Sequence, residues 1–339
     1  MKTLVTGSNG FISGYLVQDL LNNGHEVIGL DNFSKYGKTE KSYASHPNFT
    51  EIEGDVKNVD LLKELIQDCD HFVAAAAMIG GISYFHEFAY DLIAENDRIA
   101  ASSFDAAIWA FLNKRLKKIT VMSSSMVFES STKFPTPEGA ELSSPPPLST
   151  YGFQKLSLEF FAKGAFQQYG LPYTIVRPFN CIGIGEKRAL NDADIKSGNI
   201  KLALSHVVPD LVQKVLKGQD PLRILGKGEQ IRHYTYGGDL AEGIRFCIEN
   251  PKAINEDFNI STDKSTSVKE LAEVIWKKIH PNKPLEIVSD PAYEHDVQKR
   301  VPDVSKAKKI LGFSAKTSLE DALDEIIPWI REQIKLGGI

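Results

Sequence analysis

A chain of 339 residues, 42% hydrophobic and 24% charged, has the composition of a globular protein and the length to bury one large core or two closely joined ones. A net charge of -5 gives no electrostatic reason to expect a nucleic acid or a membrane surface as partner. Cys69, Cys181 and Cys247 are too widely spaced for a metal site, so the expectation is no metal and three ordinary thiols in a reducing compartment. Met1-Lys2 leads directly into a β-prone run with no signal peptide or apolar span, so a cytoplasmic location is expected.

Thr3 to Thr6 is that first strand, and it ends at Gly7-Ser8-Asn9-Gly10. Phe11, Ile12, Leu16, Leu20 and Leu21 then recur at helical spacing until Asn22-Asn23-Gly24 stops them. His25 to Leu30 reads as a second strand closed by Asp31. Strand, glycine turn, helix, strand, acid is the order that a dinucleotide site needs. Gly7 and Gly10 would let backbone N–H groups approach a pyrophosphate, and the helix N-terminus adds a favourable dipole. Asp31 would accept hydrogen bonds from an adenosine ribose and repel a 2′-phosphate, which favours NAD over NADP. The bland alternative is a plain turn followed by a solvated strand end.

Thr6-Gly7-Ser8-Asn9-Gly10-Phe11-Ile12 resembles the T-G-x-x-G-F-I signature of the extended short-chain dehydrogenase/reductase superfamily, in its nucleotide-sugar epimerase/dehydratase branch. Asp31-Asn32-Phe33-Ser34 is similar to the D-N-F/L-S run after the second strand of that branch. The resemblance implies NAD contacts from Gly7, Asn9, Gly10, Phe11, Ile12, Asp31, Asn32 and Ser34. Ser13 stands where the family usually has a third glycine, and it should slightly crowd the helix against the strand.

Phe49 to Glu53 reads as a third strand running into Gly54-Asp55-Val56, where the resemblance puts Asp55 on the adenine amino group with Val56 beside it. Asp70 to Ala77 is similar to the family's strand and small-residue turn, in which Ala75, Ala76 and Ala77 leave room for the nicotinamide riboside. Gly80-Gly81-Ile82 is either a flexible loop or, by similarity to GDP-fucose synthase and GDP-mannose 3,5-epimerase, a substrate loop with Gly81 as a contact. His86 is read as a loop histidine. The long helical pattern over 91–113 carries Asn96, which matches a family asparagine supporting the active site.

Ile119 to Ser123 is a buried strand that delivers Ser124 to its end. The family pattern S-S-x-x-V-Y is matched by Ser123-Ser124-Ser125-Met126-Val127-Phe128, implying that Ser124 bonds the reacting hydroxyl. Ser123 would lie against the cofactor and Ser125 against the substrate. Members that act as 4,6-dehydratases carry Asp-Glu after the catalytic Ser/Thr, and the sugar-acid decarboxylases carry a glutamate at the second position. GDP-fucose synthase and the 3,5-epimerase place a cysteine acid/base there. Here the two residues are Ser125 and Met126, and a methionine moves no protons.

Tyr151 and Lys155 stand four apart after a stiff Pro145-Pro146-Pro147 loop, so a helix puts both on one face. A phenol loses its proton near pH 10, and an adjacent ammonium with a cationic nicotinamide would bring that into catalytic range. Arg177-Pro178-Phe179-Asn180 matches the family's R-P-x-N, implying Pro178 near the nicotinamide and Asn180 on the substrate diphosphate.

From about Cys181 the strand–helix alternation weakens, and Glu186 to Lys201 reads as a polar loop. Val207 opens a segment similar to the V-I-P element that contacts the nucleotide base. Arg232 and Arg300 lie in runs similar to G-x-G-x-Q-x-R-D-F and R-x-P-D-x-S-K-A, which implies diphosphate contacts suited to a planar, permanently charged donor. His233 occupies the usual aspartate position. Leu319 to Ile330 forms a final amphipathic helix that faces core.

The expected fold is α/β, a Rossmann-type doubly wound parallel sheet with a smaller C-terminal substrate-binding region. Residues 1–180, with a return segment about 235–260, would hold NAD; 181–234 and 261–339 would hold substrate. The resemblance implies a homodimeric epimerase at C4 of a nucleotide-diphosphate hexose, with Tyr151, Lys155 and Ser124 catalytic. Alternatives are a net C4 dehydrogenase, a dehydratase or decarboxylase of the same family, an NADPH carbonyl reductase, and an NAD-binding sensor without turnover. Gly80-Gly81-Ile82 leans towards GDP, and Asp31 to Ser34 with Gln298-Lys299-Arg300 towards UDP.

Overall fold

The computed structural model describes residues 1–79, 88–186, 206–291 and 297–337. Apolar runs alternating with helical periods form strands at Lys2–Thr6 (β1), Glu26–Asp31 (β2), Phe49–Glu53 (β3), His71–Ala74 (β4), Lys118–Met122 (β5), Tyr173–Pro178 (β6) and Glu256–Ile260 (β7). All seven join one parallel sheet in the order β7-β6-β5-β4-β1-β2-β3. The four residues of β4 and all five of β5 are buried, as strands covered on both faces must be. Strand order reverses between β1 and β4, and the crevice outside the carboxyl ends of such a pair is where ligands bind. The chain therefore has the doubly wound Rossmann-type fold.

The helices are Phe11–Asn22 (α1), Val59–Ile66 (α2), Ala89–Asn113 (α3), Thr150–Tyr169 (α4), Val207–Leu216 (α5), Gly237–Glu249 (α6), Val268–Ile279 (α7) and Leu319–Lys335 (α8). One face of the sheet is covered by α1 and α6, over Leu16, Leu20, Val73, Leu240 and Phe258. The other is covered by α2, α3 and α4, over Leu62, Phe72, Phe104, Ile119 and Leu158. Each of these buried side chains stabilises by about 1.5–3 kcal/mol. Side chains of Asn58, Ser149, Ser267 and Ser318 cap α2, α4, α7 and α8, each contributing about 1 kcal/mol. Ser13 is buried within α1, and the Gly14 N–H still donates to the Gly10 carbonyl at 3.0 Å, so the helix opening is intact around it.

A third apolar cluster joins α5, α7 and α8 to the parallel pair Leu222–Leu225 and Ile287–Asp290, with Leu211, Leu271, Trp276, Leu323 and Ile326 at its centre. The final helix thus faces core, as its periodicity predicts. A strap ties this cluster to the sheet. Ile231 N donates to the Gln298 carbonyl (2.9 Å) and Arg300 N to the Ile231 carbonyl (3.1 Å). Thr136 N donates to the Val301 carbonyl (2.8 Å), Asp303 N to the Thr136 carbonyl (2.9 Å), and the Asn259 amide to both Thr136 and Asp303. Among the described residues, no helix is long and apolar enough to cross a membrane, no acidic, histidine and cysteine cluster could hold a metal ion, and the three cysteines are unpaired.

Candidate active site

The glycine turn after β1 sits in the crevice. Gly7 has φ 68°, and a Cβ there would lie 2.8 Å from the Ala76 Cα, so only glycine fits. The Gly7 N–H donates to the Leu30 carbonyl (2.8 Å), and Gly10 becomes the N-cap of α1, with no capping side chain and no acid in the first turn. Phe11 and Ile12 open that turn. This bare helix N-terminus is suited to a pyrophosphate. The Thr6 hydroxyl accepts from the N–H groups of Ala75 (3.2 Å) and Ala76 (3.3 Å), locking the alanine turn against the glycine turn.

Asp31 ends β2 with one carboxylate oxygen accepting from Asn9 N (2.9 Å) and the other from Phe33 N (2.8 Å), which fixes its orientation and leaves acceptor capacity for ribose hydroxyls. The Asn9 side chain holds the following loop through Thr39 and Glu51. Asn32 accepts from Ser34 N (3.1 Å), both on the exposed rim. Asp55 is exposed after β3 and accepts from Lys57 N (2.8 Å), while Val56 is buried beneath it. Asn96 clasps the backbone next to Ala77, accepting from Met78 N (2.7 Å) and donating to the Met78 carbonyl (2.8 Å). A cradle that a Cβ would fill, a bare helix N-terminus and an oriented acid fit NAD.

Across the crevice, α4 carries Tyr151 and Lys155 on one face. The Lys155 ammonium lies 5.9 Å from the centre of the Tyr151 ring and donates to the Met122 carbonyl at 2.9 Å. Both side chains are 5% exposed. Burial holds the Lys155 pKa down at about 8, with the Glu159 carboxylate acting the other way. Burial raises the Tyr151 pKa, opposed by a hydrogen bond with Ser124 and by the positive charge of Arg300. Burial has the larger effect, and Ser124 and Arg300 act against it. Ser124 also caps the short turn Ser125–Phe128, accepting from Met126 N at 3.2 Å.

Gly152 brings these parts together. A Cβ there would lie 2.7 Å from the Met126 carbonyl oxygen and 2.7 Å from Pro147. Met126 is 4% exposed and packs with Leu92 and Tyr151, forming an apolar wall of the tyrosine pocket. Ser125 is buried beside it.

On the substrate side, Pro178 ends β6 and Asn180 follows at φ 38° with its side-chain N–H group buried and without a partner. Arg232 is 8% exposed and donates to the carbonyls of Ile231 (2.9 Å) and Gln298 (3.5 Å). Arg300 rides on the strap, close enough for its charge to act on Tyr151. Val207 is the first residue of α5. His233 is buried with its Nδ1 donating to the Thr262 carbonyl (2.9 Å), and burial lowers its pKa. Gly80, Gly81, Ile82, Tyr84 and His86, and nearly all of the expected loop from Glu186 to Lys201, lie outside the described residues.

The family model described as "NAD dependent epimerase/dehydratase family" matches residues 3–261. The chain belongs to that family. It is 29% identical over 337 residues to UDP-N-acetyl-alpha-D-glucosaminuronate decarboxylase of Bacillus cytotoxicus, covering 98% of each chain. It resembles a UDP-glucose 4-epimerase of Thermotoga maritima solved with UDP-glucose, at 28% identity, TM-score 0.80, and coverage of 98% of this chain and 100% of that one. It also resembles the UDP-glucuronic acid 4-epimerase of Bacillus cereus solved with UDP-glucuronic acid and NAD, at 26% identity, TM-score 0.81 and coverage of 98% and 99%. Its cofactor is NAD, as the family description states and as the residues above fit.

Within this family member, an ion network beneath the site escaped the reading of the sequence. Arg177, with no exposed surface, donates to Glu159 from Nε and Nη2 (both 2.7 Å) and to Asp257 (2.6 Å), with Glu141 at 3.0 Å. Burial opposes its charge, but the carboxylates outweigh it and raise the Arg177 pKa. The Ser123 hydroxyl donates to Glu159 at 2.6 Å, so it points into this network. The available signals were Glu159, one turn beyond Lys155, and the arginine opening R-P-x-N. Glu129 was missed too; it accepts from Ser149 N (2.9 Å) and Oγ (2.8 Å), fixing the start of α4.

Proposed function

We propose that this family member is an epimerase acting at C4 of a nucleotide-diphosphate hexose through a transient 4-keto sugar. The observation that carries the reading is the pairing of Tyr151 with Ser124 and Lys155 in a pocket whose next wall is Met126. One acid/base suffices to take and return a hydroxyl proton, whereas dehydration or decarboxylation in this family uses further acidic residues, and Met126 offers none. The similarity to a decarboxylase at 29% identity motivates the second reading, a decarboxylase; Met126 weighs against it.

In this proposal Tyr151 accepts the C4 hydroxyl proton and Ser124 bonds the same oxygen. Lys155 positions the nicotinamide ribose and, once that cofactor is bound, helps to hold the phenolate. NAD supplies a hydride acceptor at C4 that returns the hydride to the opposite face. Gly7, Asn9, Gly10, Phe11 and Ile12 would hold the pyrophosphate, and Asp31, Asn32 and Ser34 the adenosine ribose. Asp55 and Val56 would meet the adenine; Ala75, Ala76, Ala77, Asn96, Ser123 and Pro178 would shape the nicotinamide end. Asn180, Arg232 and Arg300 would bind the substrate diphosphate, Ser125 and Gly81 the sugar, and Val207 the base.

Relatives that act on or bind UDP-sugars support UDP as the nucleotide. The division between residues 1–180 with 235–260 and the remainder is proposed from the separate apolar clusters on the sheet and around α5, α7 and α8, and a homodimer is proposed as well. The apolar face that α3 and α4 leave uncovered, with Leu112, Phe153 and Phe160 each about half exposed, suits the dimer. The test is to incubate the purified protein with UDP-, GDP-, dTDP- and CDP-sugars, adding no cofactor, and to follow products by NMR and nicotinamide reduction by absorbance. A 4-epimer without accumulating NADH is expected. A keto sugar with stoichiometric NADH, or a decarboxylated pentose, would replace this reading.

A further inference from the structure

The first helix carries a tyrosine that the proposed chemistry does not use. Tyr15 lies one turn into α1, partly buried, with its ring edge-on to Phe11 at 5.9 Å between ring centres. Two backbone segments close on that ring. A Cβ on Gly183 would run into the Tyr15 hydroxyl, and one on Gly237 would lie 2.5 Å from its ring carbons. Neither glycine has a positive φ, so the space taken by the ring is what requires glycine at both. Held in this slot, the Tyr15 hydroxyl accepts from Ile184 N at 2.8 Å. Its ring meets that of Tyr236 edge-on, 5.6 Å between centres, and a hydrogen bond from Tyr15 acts on the Tyr236 hydroxyl. Tyr236 in turn donates to Glu325 of α8 at 2.5 Å. Burial raises the pKa of both phenols, so each keeps the proton that it donates.

This series crosses from one half of the molecule to the other. Tyr15 packs with the cluster on the α1 face of the sheet, and Tyr236 with the cluster around α5, α7 and α8. Tyr236 also pairs with Ile182 where Cys181–Ile182 and Thr235–Tyr236 form a short parallel ladder, and Thr235 N donates to the Asn180 carbonyl at 3.1 Å. The first turn of α1 would hold the NAD pyrophosphate, and Asn180 the substrate diphosphate. One side chain on that helix therefore grips the segment that follows Asn180. We propose that Tyr15 is a positioning residue: through Ile184, and through Tyr236 with Glu325, it fixes the separation between cofactor and sugar.

The inference rests on the proposed epimerisation, which uses that separation twice. The hydride leaves C4 for NAD while Tyr151 takes the hydroxyl proton, and both must return to the keto sugar before it escapes. A misplacement of about 1 Å can cost about 10²-fold in rate. A sugar held too loosely would leave as the 4-keto compound, with its hydride kept on NADH and its proton passed from Tyr151 to water.

Tyr15→Phe keeps the ring in its slot and removes only the hydroxyl, whereas Gly183→Ala displaces the ring. Hydrogen exchange on the NAD-loaded protein, with no sugar present, should show the amides of Ile184 and of Thr235 to Gly237 exchanging at least about tenfold faster in Tyr15→Phe than in the parent. Protection lost at Ile184 alone would confine Tyr15 to that single bond and overturn the proposal. In the sugar assay both variants should lose about ten- to hundredfold in kcat, with KM for the sugar and the affinity for NAD moving less than about threefold. NADH should accumulate with released keto sugar, which the parent does not let go. An unchanged kcat overturns the proposal. So does a fall in kcat matched by equal losses of NAD affinity and of the unfolding midpoint, which is what a purely structural role would give. If the parent makes no epimer from any sugar, the epimerase reading fails, and the exchange experiment still decides whether Tyr15 couples the two halves.

Discussion

Replacing Lys155 with methionine should make the protein more stable at neutral pH while abolishing its proposed chemistry. The free amine titrates at 10.5 and burial brings it to about 8, a drop that corresponds at 1.36 kcal/mol per pH unit to about 3 kcal/mol. The sign follows from proton counting. Between pH 8 and 10.5 the unfolded chain holds a proton that the folded protein has released, so stability rises with pH across that window. The penalty is therefore complete below pH 8 and gone above 10.5. Lys155→Met removes it and loses the bond to the Met122 carbonyl, worth about 1 kcal/mol, which leaves a net gain of about 2 kcal/mol at pH 7. Denaturant unfolding of both proteins at pH 7 and pH 10 measures this. The variant should lead at pH 7, and its lead should shrink or reverse at pH 10. A variant less stable than the parent at pH 7, or a difference that ignores pH, refutes the argument.

Tyr151→Phe should lower kcat by about 10²–10⁴-fold and leave NAD binding in place, which NADH fluorescence together with the sugar assay would reveal. Gly7→Ala forces a Cβ to 2.8 Å from Ala76 at φ 68°, and should weaken NAD at least about tenfold by titration calorimetry. Asp31→Ser should narrow the preference for NAD over NADP in the same measurement, and an unchanged ratio would remove Asp31 from cofactor selection. Glu159→Gln removes the carboxylate that takes two bonds from a fully buried arginine; Asp257 and Glu141 remain, so a loss of about 3 kcal/mol is expected in denaturant unfolding.

Local patterns made much of this molecule readable in advance. The run from Thr3 to Asp31 sets strand, glycine turn, helix and acid in register because each is decided by neighbours in sequence, and the structure places Asp31 against Asn9 accordingly. Tyr151 and Lys155 were legible for the same reason, being one helical turn apart. What stayed hidden depends on chain segments distant in sequence. Arg177 meets Asp257 across 80 residues, and nothing in R-P-x-N announces that partner. Motif spacing says nothing about burial, so the upward push of burial on the Tyr151 pKa could not be read in advance. Met126 has no proton to move whatever surrounds it, but its packing against Tyr151 needed coordinates.

The position of β7 bears on how the chain is made. This strand comes from residues 256–260 yet pairs beside β6, so the sheet keeps an open edge until three-quarters of the polypeptide has been synthesised. Until then the hydrogen-bonding row of β6 is a template for any passing strand. The layer around α1 then waits further for Ala307, Leu311 and Phe313. A nascent chain stopped near residue 180 would therefore present an unpaired edge and a half-covered core, the hallmarks of an aggregating intermediate. Successful expression of the isolated amino-terminal half calls for a redesigned β6 edge, and a chaperone holding the chain during the interval from β6 to β7 would act when it is most exposed.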